Sequence, residues 1–113
     1  MNLNEIINIG RIESEFDITE GLKVKMHTLS GEEQAIVINR TADKALDAYG
    51  RKNSIDIEML VASITEINGV EVTEATTREF VNKIQATLQF KLLALYNSIE
   101  LESRDKLEEI KKV

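Results

Sequence analysis

The chain has no cysteine, no proline and no tryptophan, and His27 is its one histidine. Without cysteine there is neither a disulfide framework nor a thiolate metal site, and nothing asks for an oxidising compartment. A lone histidine lacks the cysteine or orienting partner that nucleophilic or general-base catalysis requires. Aromatic residues are scarce: Phe16, Phe80, Phe90, Tyr49 and Tyr96. Positive charge is short as well, with 14 basic against 20 acidic residues and a net charge of −6. That balance repels phosphate backbones and argues against nucleic acid as a partner. The richest apolar run, "FKLLALY", is far too short to span a bilayer. "MNLNEIINIGRIESEF" shows neither a basic n-region nor an apolar h-region, so no secretory signal is expected. These absences predict a soluble cytoplasmic protein that is not an enzyme, carries no cofactor or metal, and binds neither nucleic acid nor membrane.

What the chain does have is aliphatic residues at ordered spacings. Its 113 residues, 42% of them apolar, suit a single domain over 1–113 with a small core of Leu, Ile and Val. Residues 11–29 read as a hairpin: Ile12, Phe16 and Ile18 alternate with polar neighbours, and Leu22, Val24 and Met26 alternate with Lys23, Lys25 and His27. The period then changes. "SGEE" puts Ser30 three residues before Glu33, the spacing of a capping box. Ala35, Ile38, Ala42, Ala45, Leu46 and Tyr49 follow as one helical stripe, predicting a helix over 31–49 that Gly50 ends.

Residues 55–67, "IDIEMLVASITEI", fit two periods. Ile55, Ile57, Met59 and Val61 alternate as in a strand, while Ile57, Leu60, Val61, Ile64 and Ile67 fit a helix. The β-branched content and the Asn68-Gly69 turn favour a second hairpin over about 57–73, with a helix over 55–63 as the alternative. Asn-Gly suits a type I′ turn, in which both central residues take positive φ. From Thr76 the pattern is helical over about 76–112, as one helix or as two with a break near 86–89. Phe80, Ile84, Leu88, Leu92, Leu95, Tyr96 and Ile99 form its apolar face. Beyond Ile99 that face thins to Leu107, Ile110 and Val113, while Glu102 with Lys106 and Glu108 with Lys112 are spaced for helix ion pairs. The expected architecture is α+β.

No converging set of polar groups suggests catalysis. His27 is expected on the outer sheet face beside the lysines. Asp56 and Glu58 would share a solvated strand face, with no further oxygen ligand spaced nearby to complete a metal site. "NRT" at 39–41 matches a glycosylation sequon, but it lies in an expected helix. The tail, "ELESRDKLEEIKKV" at 100–113, is either a solvated helix or a partner-binding one.

The order of these elements resembles that of the tail assembly chaperones and baseplate-hub assembly proteins of tailed bacteriophages. The junction "LSGEEQ" at 29–34, the segment "ITEINGVEV" at 64–72 and the leucine-rich end "FVNKIQATLQFKLLALYNSIELES" carry the likeness. It implies a non-enzymatic assembly protein of the host-cell cytoplasm that binds tape-measure or baseplate-hub subunits, or copies of itself, through apolar helical surfaces. The alternative is a permanent structural subunit of the virion tail. From leftover amphipathicity, the residues expected to meet a partner are Leu92, Leu95, Tyr96, Ile99 and Leu107.

Overall fold

A computed structural model describes residues 1–42 and 47–111 of the chain. The architecture is α+β. In chain order the elements are α1 (Leu3–Ile7), β1 (Glu13–Thr19), β2 (Leu22–His27), α2 (Gly31–Ala42), α3 (Ala48–Ser63), β3 (Ile64–Ile67), β4 (Val70–Glu71), α4 (Glu74–Lys83) and α5 (Ala86–Lys111). The strands form one antiparallel sheet in the order β1-β2-β3-β4.

The first hairpin forms as its alternation predicts. Ile18, Val24 and Met26 face inward and are buried, while Glu13, Glu15 and Asp17 stay outside. On the outer face Lys25 sits between Glu13 (2.9 Å) and Glu66 (3.1 Å). The Asn-Gly turn also forms, with φ of +51° at Asn68 and +77° at Gly69. Asn68 then ties the hairpin into the sheet. Its backbone N–H donates to the Lys23 carbonyl, and its side-chain oxygen accepts from the Lys23 N–H, both at 2.8 Å.

The second hairpin is shorter than the 57–73 expected, because 57–63 is the end of α3. The helical alternative prevails there. Asp47 caps that helix, its carboxylate accepting from the Gly50 N–H at 2.7 Å, so Gly50 starts a helix instead of ending one. Helical turns bury Leu60 and Val61 and bring Glu58 to arginines on α2 and α4, and this packing outweighs β-propensity.

The capping box of α2 is present: Ser30 Oγ accepts from the Glu33 N–H (3.1 Å), and Glu33 Oε1 accepts from the Ser30 N–H (2.9 Å). The buried stripe of α2 differs from the expected one. Val37 and Thr41 are buried, whereas Ala35, Ile38, Ala42 and Tyr49 are exposed. Ala45 and Leu46, expected in that stripe, lie outside the described residues, as do Lys112, Val113 and the Ile110 side chain.

The C-terminal pair breaks at 84–85, just before the expected position. Ile84 is extended, and Gln89 Nε2 donates to the Val81 carbonyl at 2.6 Å, closing the end of α4. The core lies between the inner sheet face and the helices: Ile12, Ile18, Val24, Met26, Leu60, Ile64, Val81, Leu92, Tyr96 and Ile99.

Candidate protein-binding groove

The first ten residues carry a helix signal that the hairpins overshadow. Asn2 accepts from the Glu5 N–H at 2.9 Å, and its side-chain amide donates to the Glu5 carboxylate at the same distance. Leu3, Ile6 and Ile7 then follow at three- and four-residue steps, as on one face of a helix. A helix of this length is marginal by itself, so an apolar face on it needs a neighbour. In this fold α1 has no buried residue: Leu3 is 70% exposed, Ile6 50% and Ile7 64%.

Gly10, at φ +84°, turns the chain from α1 into the sheet. Its carbonyl accepts from Ser103 Oγ at 2.5 Å, which pins this turn to α5. Between the end of α1, the first turn of α2 and the second half of α5 runs an open groove of about 740 Å³. Ile7, Ile9, Leu29 and Leu107 supply its apolar lining, and Arg11, Glu32, Glu33, Glu100 and Arg104 its charges.

Under the groove the polar groups are satisfied internally. The Tyr96 hydroxyl donates to Glu100 at 2.8 Å, and burial together with that carboxylate pushes the Tyr96 hydroxyl well above its ordinary range. His27 lies opposite Glu13, on the face that also carries Lys25, as expected, but it is buried there and not solvated. Its Nδ1 lies 2.7 Å from the Thr28 carbonyl and so carries the proton, because a carbonyl can only accept. Nε2 faces Glu33 at 3.9 Å.

The five residues expected to meet a partner separate into two groups. Leu92, Tyr96 and Ile99 fill the core, and Leu95 is half-buried against it. In this fold the first three offer a partner no surface, because α3 and the sheet already cover them. Leu107, 41% exposed, lines the groove. The apolar residues that sequence reasoning passed over are Leu3, Ile6, Ile7 and Ile9. The Asn2–Glu5 spacing ahead of them was the available signal.

Asp56 and Glu58 lie on a helix, not on a strand face. Asp56 pairs with Lys52 at 3.0 Å, one helical turn away. Glu58 is buried against Arg78 at 2.8 Å and Arg40 at 3.5 Å. Burial alone would raise the Glu58 carboxyl, but the Arg78 hydrogen bonds and the two positive charges hold it below its ordinary value. Among the described residues no group of three or more His, Asp or Glu side chains is arranged to hold a metal ion, and no helix is long and apolar enough to cross a membrane. The chain matches no family model, no curated protein and no solved structure.

Proposed function

We propose that this chain is a non-enzymatic assembly protein that holds an apolar helical segment of another protein in the groove between α1 and α5. The carrying observation is that Ile7, uncovered on α1, lines the same groove as Ile9 and Leu107, while Leu3 and Ile6 are uncovered on the same short helix. Apolar side chains gathered on a short helix beside a groove are the usual form of a helix-binding surface. The −6 charge keeps such a protein dissolved while that surface is empty. The resemblance to phage tail assembly proteins supplies the partner class: a tape-measure or baseplate-hub subunit, met in the host cytoplasm before the tail is complete.

The test is co-expression with a phage tape-measure or baseplate-hub protein. The parent chain is expected to keep that protein soluble and to purify with it. A Leu3→Asp, Ile7→Asp double variant is expected to fold normally, since neither side chain is buried, and to lose the partner. Retention of the partner by that variant would refute the groove. Finished particles are expected to lack the chain, whereas a fixed stoichiometry in them would make it a permanent tail subunit.

A further inference from the structure

β1 is one of the two outer strands of the sheet, and no strand pairs with its far edge. Ile12 and Thr28 are hydrogen-bonded partners, and Ser14↔Met26 and Phe16↔Val24 continue that register. Antiparallel ladders alternate, so the N–H and C=O groups of Glu13 and Glu15 point away from β2. Among the described residues, the one side chain that reaches the β1 backbone from a helix is Lys91, whose Nζ donates to the Ile18 carbonyl at 3.3 Å, at the far end of the strand. In β1 only Ile18 is buried, and Phe16 on the inner face is half-covered.

The outer face is striped by charge. β1 carries Glu13, Glu15 and Asp17; β2 carries Lys23 and Lys25; β3 and β4 carry Glu66 and Glu71. Lys25 bridges Glu13 and Glu66, and Lys23 reaches Asp17 only at 3.9 Å. Glu15 is exposed and has no ion-pair partner among the described residues. The stripe therefore stops on an acidic strand with one free carboxylate and an unpaired backbone edge.

We infer that β1 accepts an added strand from another protein, one that alternates Lys or Arg on the outer face with apolar residues on the inner face. The backbone groups of Glu13 and Glu15 would supply the ladder, the basic side chains would face Glu15 and Asp17, and an apolar side chain would cover the open flank of Phe16. A second copy of this chain is the wrong occupant. Two antiparallel β1 strands centred on Glu15 would set Glu15 against Glu15 and Glu13 against Asp17, and like charges directly opposite one another repel. This site is separate from the α1–α5 groove and does not depend on the proposed phage role.

The probe is a ten-residue peptide alternating lysine with valine, compared with one alternating glutamate with valine. The lysine peptide is expected to bind, to slow amide exchange at Glu13 and Glu15, and to weaken as salt rises. The glutamate peptide is expected not to bind. Glu15→Pro removes only an outward N–H, so the parent hairpin should survive, checked by its melting curve. That variant is expected to bind the lysine peptide at least about tenfold more weakly, a loss of the kind expected when a ladder bond cannot form. Glu15→Lys keeps the outward N–H and is expected to weaken binding of the lysine peptide, since it puts a charge of the peptide's own sign between Glu13 and Asp17. The inference is overturned if neither peptide binds, if protection appears away from 13–17, or if both variants bind the lysine peptide like the parent. That last result would mean general attraction to an acidic surface. Dimers formed through β1 would overturn it as well.

Discussion

Arg78 grips Glu58 with two donors, Nε to Oε1 at 3.2 Å and Nη2 to Oε2 at 2.8 Å. Arg40 adds a second cation at 3.5 Å and reaches on to Glu74 at 3.0 Å. One buried carboxylate thus joins α2, α3 and α4. Arg78→Ala leaves Glu58 buried beside a single, longer ion pair, and is expected to cost about 3 kcal/mol. Arg78→Lys is expected to recover little of this, because an ammonium cannot make the paired contact. Denaturant unfolding of the two variants measures both effects.

The same carboxylate contributes to the acid response. Its pKa in the folded chain is depressed below the ordinary 4.5, and that of Glu13 is depressed too, chiefly by its hydrogen bond from Lys25. A depressed carboxylate contributes stability that is complete above the unfolded value and is lost as pH falls through the folded one. Unfolding free energy is therefore expected to fall as pH drops below 4.5. Glu58→Gln is expected to start less stable and to show a shallower fall. Equal slopes for parent and variant would place the acid sensitivity in other groups.

The turn at Asn68-Gly69 is expected to resist substitution. Gly69→Val places a β-branched residue at φ +77°, a left-handed conformation that costs about 1–2 kcal/mol. Asn68→Ala removes the side-chain oxygen that accepts from the Lys23 N–H and is expected to cost about 1 kcal/mol. Thermal melting decides both, and parent-like curves would refute this account of the turn.

Ser103 holds α1 through the Gly10 carbonyl. Ser103→Ala is expected to speed amide exchange over 3–10 while core amides keep their protection, because α1 contributes no buried residue. Unchanged exchange there would mean that other contacts hold α1.

Leu92 and Leu107 lie on one helix with opposite roles. Leu92 is fully buried and Leu107 is 41% exposed. Leu92→Ala is expected to cost about 2–5 kcal/mol through the cavity it leaves. Leu107→Ala is expected to stay within about 0.5 kcal/mol of the parent and to act on partner binding alone. A large loss of stability from Leu107→Ala would place it in the core.

Local rules in the sequence were sufficient for the first hairpin, the Ser30–Glu33 cap and the Asn68-Gly69 reversal. Each is set by side-chain alternation, a three-residue hydrogen bond or a φ preference, so its cause lies within a few residues of its effect. The tertiary structure decided what those rules leave open. The stretch 55–63 satisfies two periods, and it is helical because Leu60 packs in the core and Glu58 meets Arg78 and Arg40 from distant parts of the chain. Val37, and not Ile38, faces inward on α2. His27 shares the face of the lysines but is buried there beside Glu33 of α2, not solvated. Leu92, Tyr96 and Ile99 are core because α3 and β2 lie against α5, whereas Leu3, Ile6 and Ile7 of α1 remain uncovered. Periodicity identifies which residues share a face; what covers that face depends on where the rest of the chain comes to rest, and that is fixed by packing across long sequence separations.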